Sequence, residues 1–140
     1  MSPEIVVTDN PDEAPREAIL AGLIAYNTAR AGDADHRPLA ALARDGEGGV
    51  LGGLWGWTAY RWLFVELFWL PESLRRQGLG SEVLRRAEAE ARRRGCRAAW
   101  LDTFSFQARR FYERQGYSVF GTLDDYPPGH RRFFLRKDLA

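Results

Sequence analysis

Six consecutive residues, Arg75-Arg76-Gln77-Gly78-Leu79-Gly80, carry the strongest chemical signal in this 140-residue chain. They lie between an apolar strand pattern and a helical one. Glycines there let the backbone approach a ligand closely, and a helix start presents unpaired N–H groups at the positive end of a dipole. Arg75 and Arg76 add full positive charges. A pyrophosphate suits such a site, each charge-assisted hydrogen bond contributing about 1.5–3 kcal/mol. The competing reading is an ordinary strand-to-helix turn with exposed arginines, because a short glycine pattern alone is a weak signal. Two other phosphate loops fit less well. No Lys-Ser or Lys-Thr follows the glycines, so there is no Walker A loop. The third glycine of the dinucleotide fingerprint would fall on Val83, which disfavours a nicotinamide-dependent oxidoreductase.

Glu66 is the second candidate. A lone carboxylate within Leu63–Leu70, an otherwise apolar run, is expensive to bury ionised and unpaired. It must find a partner or open onto a cleft. A salt bridge to Arg61 or Arg132 and a role as proton acceptor both satisfy that demand. Trp55 and Trp57 share a strand face and suit either a pocket wall or the core. Asp124, Asp125 and Tyr126 occupy a loop whose charge suits a cationic amine, with solvated turn residues as the plainer reading. Asp102 is expected to fix a strand-to-helix turn. His130 and Cys96 gain no role.

The elements that must hold these residues follow from periodicity and punctuation. Glu4–Thr8 reads as a short strand through Ile5-Val6-Val7, and Asn10-Pro11 as the start of a helix over Glu13–Ala29. Strands are predicted over 38–44, 50–60 and 62–70, the first two joined by the glycine-rich turn 45–49. Gly52, Gly53 and Gly56 inside a strand mark close approach of another group. Leu79, Val83, Leu84, Ala87 and Ala91 give one face of a helix. Glu82, Glu88 and Glu90 each precede an arginine by four, which makes the arginine-rich face a solvated one. A strand over 97–102, a short helix capped by Ser105 and running through Gln115, and strands over 117–122 and 132–136 complete the order. The fold class is α/β: one mixed, mostly antiparallel sheet flanked by helices, ordered β-α-β-β-β-α-β-α-β-β.

Composition narrows the function. Twenty Lys and Arg against nineteen Asp and Glu leave +1, with no global field to draw in nucleic acid. One cysteine excludes an internal disulfide framework, and with two histidines it makes metal chemistry a poor expectation. The N-terminus lacks a basic leader region, and the longest apolar run is too short to cross a bilayer. Cytoplasmic placement, without nucleic-acid or membrane partners, is expected.

With both blocks in view, the chain resembles the GNAT superfamily of acyl-CoA-dependent N-acyltransferases. Arg75-x-x-Gly78-x-Gly80 matches the family's Arg/Gln-x-x-Gly-x-Gly/Ala loop. Ala108-Arg109-Arg110-Phe111-Tyr112-Glu113-Arg114-Gln115-Gly116-Tyr117 is similar to its Ala-x-x-Phe-Tyr-x-x-x-Gly-Phe/Tyr stretch. Ser105 stands where the family often has Asn. The resemblance spans nearly the whole chain and implies one GNAT-like domain over 1–140.

The resemblance also implies a mechanism. Acetyl-CoA is the co-substrate, lying between splayed strands, and no metal is needed. Its pyrophosphate would rest on the amides of Gln77, Gly78, Leu79, Gly80 and Ser81, beside Arg75 and Arg76. Its pantetheine would pair with the backbone of Phe68, Trp69 and Leu70, with Ala108 and Phe111 bordering the cofactor. A primary amine would attack the thioester, strand N–H groups near Phe68 or Trp69 would stabilise the oxyanion, and Tyr112 would protonate the leaving thiolate. Core packing is the alternative role for Tyr112. Glu66 would take the amine's proton, and Trp55, Trp57, Asp125 and Tyr126 would line the acceptor side. The acceptor would be a small-molecule or peptide amine. A non-catalytic acyl-CoA sensor is the alternative from another class. Oligomeric state stays open, homodimers being common in the family.

Overall fold

The computed structural model describes residues 2–140, which divide between Ala34 and Asp35 into two compact units. The first unit contains one helix, α1 (Glu13–Ala31), with Asp12 at the N-cap and Gly32 after its end at φ 81°. The helix therefore starts at Glu13, after the expected Asn10-Pro11 signal, and runs to Ala31. Residues 4–8 do not form the expected strand. Ile5, Val6 and Val7 are exposed and unpaired, and among the described residues of this unit there is no second strand. A strand without an edge to join has no ladder to hold it.

The second unit is a six-stranded sheet in the order β1-β2-β3-β4-β6-β5. The strands are β1 (Arg37–Arg44), β2 (Val50–Ala59), β3 (Trp62–Trp69), β4 (Ala98–Phe104), β5 (Ser118–Asp124) and β6 (Arg131–Asp138). Helix α2 (Leu79–Arg93) connects β3 to β4, and the short α3 (Arg109–Arg114) precedes β5. Only β3 and β4 pair in parallel; the other four pairings are antiparallel, as the predicted mixed sheet requires.

Local chemistry sets the turns. Tyr60 and Arg61 both have positive φ, 48° and 63°, the twist a two-residue hairpin between β2 and β3 demands. Asp45 closes the β1–β2 turn by accepting the N–H groups of Glu47 and Gly49. Before α3, Gln107 does the closing: its side-chain carbonyl accepts the Phe104 N–H at 2.7 Å and the Thr103 hydroxyl at 3.1 Å. Ser105 is therefore not the helix cap. Its hydroxyl accepts the N–H of Arg131 instead, and the helix begins only at Arg109.

One face of the sheet is the core. Val83, Leu84, Ala87 and Ala91 of α2 bury against Leu39, Leu54, Leu63, Val65, Leu101 and Leu135. Fully burying a leucine such as Leu84 contributes about 1.5–3 kcal/mol. The expected Glu88–Arg92 surface pair does not form. Glu88 is 2% exposed, and Arg92 donates instead to the Leu139 carbonyl. On the opposite face Trp57, Phe64 and Trp100 pack across three strands, with ring centroids 4.6 and 4.2 Å apart.

Glycine in β2 permits the close approach its pattern suggested. A Cβ on Gly56 would overlap the carbonyl oxygen of Phe64 in β3. Backbone cannot yield as a flexible side chain can. Gly56→Ala is expected to lower the unfolding free energy by at least about 3 kcal/mol, read by urea denaturation. A stability loss under 1 kcal/mol would show that the hairpin adjusts at no cost.

Candidate active site

The site begins where the parallel pairing stops. β3 and β4 pair from Trp62↔Ala98 to Val65↔Leu101 and no further. Beyond that point β3 stays on β2 as far as Gly53↔Trp69, while β4 stays on β6 as far as Phe104↔Arg132. The sheet is thus two antiparallel halves that open like a wedge. Backbone groups of β3 after Val65 that face β4 have no ladder partner there. An extended amide ligand can supply one.

At the β3 end, the chain turns into the glycine loop. Gly78 is left-handed at φ 78°, and no side chain caps α2. The first helical bond runs from the Glu82 N–H to the Gly78 carbonyl at 3.1 Å. The N–H groups of Leu79, Gly80 and Ser81 consequently have no acceptor within the helix. Arg75 donates through Nε to the Leu70 carbonyl at 2.9 Å, which fixes the loop to the end of the strand. Gln77 donates to Ser73 O at 3.0 Å and Arg76 is exposed at φ 64°. Gln115, just after α3, donates to the Ser81 hydroxyl at 2.8 Å. Phe111 lies so close to Gly80 that an added Cβ would touch its ring at 3.5 Å. The two sequence blocks therefore meet, α3 packing beside the start of α2.

Tyr112 is buried beside this junction. Its ring lies 6.2 Å from Phe68 of β3, 5.2 Å from Phe111 and 6.0 Å from Tyr117, all edge-on. Burial pushes its phenol up to about 12, with the Asp102 carboxylate adding to the rise. The hydroxyl keeps its proton at neutral pH. The buried Tyr112 ring thus packs on Phe68, from the part of β3 that has left β4, and on Phe111, which borders the uncapped helix start.

A family model described as the acetyltransferase (GNAT) family matches residues 4–117, well over half of the chain. This chain belongs to the GNAT acetyltransferase family. Acetyltransferase Atu2258 of Agrobacterium fabrum is 42% identical over 132 residues, covering 94% of this chain and 96% of that protein. Blasticidin-S acetyltransferase of Streptomyces morookaense is 42% identical over 107 residues, covering 74% of this chain and 79% of that protein. The crystal structure of an acetyltransferase from Bacillus cereus superposes with a TM-score of 0.85 at 32% identity, covering 95% of this chain and 97% of that one.

The remaining candidates of this GNAT acetyltransferase separate clearly. Glu66 is exposed, and it is the extra residue of a bulge, since Trp55 pairs with Leu67 and Gly56 with Val65. Neither expected salt-bridge partner reaches it. Arg61 donates to the Gly95 carbonyl, and Arg132 is engaged by Asp102 at 2.7 Å. Trp55 is 50% exposed, whereas Trp57 is packed between His36 and Phe64. Asp125 spends its carboxylate on the Gly129 N–H of its own turn. The Tyr126 hydroxyl accepts from Arg132 at 3.0 Å.

Sequence reasoning missed the partnership of Asp102 with Arg132. Asp102 does not fix the strand-to-helix turn, which Gln107 closes. It holds a guanidinium that also stacks over the rings of Phe104, Tyr126 and Phe134. Thirty positions separate the pair, and nothing local signals it. Glu88 was missed as well, although it follows Leu84 by four and precedes Ala91 by three on the buried face. Its carboxylate accepts from the Tyr117 hydroxyl at 2.7 Å and Lys137 Nζ at 2.9 Å. Among the described residues no cluster of metal-ligating side chains occurs, and no helix is long and apolar enough to cross a membrane.

The raised phenols fix a pH dependence. A folded-state value above the unfolded one gives stability that is complete below about 10 and lost as pH climbs through the folded value. Tyr112 and Tyr117 are both raised, chiefly by burial. Stability measured by denaturant titration should therefore fall as pH rises from about 10 toward 12. Tyr112→Phe should make that fall shallower. An identical slope in the variant would mean that Tyr112 titrates as if exposed.

Proposed function

We propose that residues 1–140 act as one acetyltransferase domain that moves an acetyl group from acetyl-CoA to a primary amine of a small molecule. The observation that carries this is the wedge between β3 and β4, with an uncapped helix start at one end and Tyr112 beside it. The residues fit the cofactor. Three N–H groups at Leu79, Gly80 and Ser81 suit a pyrophosphate, with Arg76 and Gln77 in reach of the same loop. The free edge of Phe68–Leu70 suits the amides of a pantetheine, with Ala108 and Phe111 along the α3 side. A small-molecule amine is supported by the relative named blasticidin-S acetyltransferase.

The thioester supplied by acetyl-CoA gives the activated acyl group; the chain orients it and manages charge. The amine nitrogen forms a bond to the carbonyl carbon, and the bond from that carbon to sulfur breaks. N–H groups of β3 near Phe68 and Trp69 hold the carbonyl oxygen as it gains charge. The attacking ammonium must first lose a proton, which Glu66 accepts directly or through water. Exposure at a bulge suits Glu66 to that task, since its carboxylate stays hydrated and free of the nearby arginines.

Tyr112 faces the departing sulfur. A phenol at about 12 against a thiol near ~8.5 makes complete proton transfer uphill by roughly 5 kcal/mol. Its contribution is therefore a hydrogen bond to the developing thiolate, while the second proton lost by the attacking nitrogen, once the C–N bond has formed, passes through water to the sulfur. Trp55, Trp57 and Tyr126 form the acceptor wall. Asp125 contributes through the turn it closes.

Three variants test the assignment in a CoA-release assay across an amine panel. Tyr112→Phe should lower kcat about 10²- to 10³-fold with little change in acetyl-CoA affinity; near-normal turnover would leave Tyr112 to packing alone. Gly80→Asp puts a negative charge where the helix itself tolerates it but a pyrophosphate does not. Acetyl-CoA binding should collapse in a folded protein, and unchanged calorimetric binding would overturn the site. Glu66→Gln should depress kcat and flatten the acidic limb of the pH–rate profile. A full acidic limb in that variant would show that another group takes the proton. Acetyl-CoA binding without CoA release on any amine would favour the sensor alternative.

A further inference from the structure

Ser81 lies in the first turn of α2, whose start no side chain caps. Its N–H is one of those without an acceptor inside the helix. Its side chain adds a hydroxyl, a group that can accept two hydrogen bonds but donate only one. The direction of that single proton decides what the hydroxyl does to an anion. Lone pairs turned toward a phosphate repel it, whereas the proton turned toward it is a further donor.

Gln115 fixes the direction. Its side-chain Nε2 donates to Ser81 Oγ at 2.8 Å. The amide occupies a lone pair of the oxygen and leaves the hydroxyl proton for another acceptor. Among the described residues none takes it. A helical serine commonly donates to the carbonyl four residues back. For Ser81 that carbonyl belongs to Gln77, which precedes the helix.

Gln115 is itself held firmly. Its N–H is shared between the carbonyls of Phe111 and Tyr112 at 3.1 and 3.0 Å, which closes α3. Gly116, at φ 96°, turns the chain into Tyr117, whose N–H returns to the same Tyr112 carbonyl. The Tyr117 hydroxyl is anchored on the buried Glu88 of α2. A glutamine on so constrained a backbone has little freedom left to lose when it presents its amide.

We propose that Gln115 is a positioning residue for the acyl donor. It turns the Ser81 hydroxyl proton toward the pyrophosphate, adding a fourth donor to the N–H groups of Leu79, Gly80 and Ser81. This rests on the reading that the α2 start takes the pyrophosphate of acetyl-CoA. Gln115 acts through Ser81 and at the end of the donor remote from the thioester. Its effect therefore falls on donor affinity, and the chemical step proceeds without it.

The decisive comparison is acetyl-CoA against S-acetylpantetheine, the same thioester without the pyrophosphate. Affinity is read by calorimetry, directly for acetyl-CoA and by its displacement for S-acetylpantetheine. Gln115→Leu should lower the ratio of the two affinities about tenfold. Gln115→Glu keeps the shape but accepts the Ser81 proton, and should lower the ratio further. In a Ser81→Ala background, Gln115→Leu should cost nothing more. With the best amine of the panel, kcat of Gln115→Leu at saturating acetyl-CoA should stay within about twofold while KM rises. A merely structural Gln115 would weaken both thioesters together; an unchanged ratio would overturn the proposal, as would additive losses in the double variant. A wild-type protein that prefers neither thioester would remove the pyrophosphate site and this inference with it. A wild-type preference that the Gln115 variants retain would overturn this inference alone.

Discussion

The parallel contact between β3 and β4 is four residue pairs long, and the rest of the site depends on its brevity. Each strand is held by an antiparallel neighbour for its whole length, β3 by β2 and β4 by β6. The halves can therefore part after Val65 and Leu101 without either strand losing its own support. The extra residue at Glu66 reinforces the parting, because a bulge bends its strand and increases the local twist. A continuous ladder would close the wedge and leave no backbone group free for a ligand. The opening is thus a consequence of how the sheet is joined, with side chains added to its rim.

The rim is kept in place by a buried ionic contact of higher value than the many on the surface. Glu88 is almost fully enclosed and takes two short hydrogen bonds, from Tyr117 and Lys137. Hydrogen bonds to a charged group contribute about 1.5–3 kcal/mol each. The Glu82 and Glu90 pairs with their arginines lie at the surface, where solvent screens them and they contribute little. Glu88 ties the middle of α2 to both β6 and the residue that follows α3. Tyr117 in turn donates its N–H to the Tyr112 carbonyl. One carboxylate thereby links the helix that ends the wedge to the segment that carries the candidate proton donor. Removing one partner would leave a charge buried and unpaired, which is costlier than losing a surface pair.

Electrostatics also divide labour between two carboxylates near the opening. Asp102 is committed to Arg132, and its charge helps keep the Tyr112 phenol protonated. Glu66 sits in water at the bulge, free of Arg61 and Arg132. The two carboxylates therefore differ in surroundings, one committed to an ion pair and the other facing solvent.

Much of this was legible in the residues because it is local. The glycine loop, the stripe of α2 and the second block around Tyr112 each depend on neighbours within a few positions. The succession of the six strands along the chain was legible too, but their order in the sheet, with β6 between β4 and β5, was not. The tertiary structure alone decided what distant segments do to one another. It assigned Arg132 to Asp102 across thirty positions, moved Glu88 from an expected surface pair into the core, and gave the turn before α3 to Gln107. It also denied a strand to Ile5-Val6-Val7, whose β-forming residues specify a preference and not a partner. Propensity acts through the backbone of each segment, but pairing, burial and charge compensation are set by whichever groups folding brings within a few ångströms.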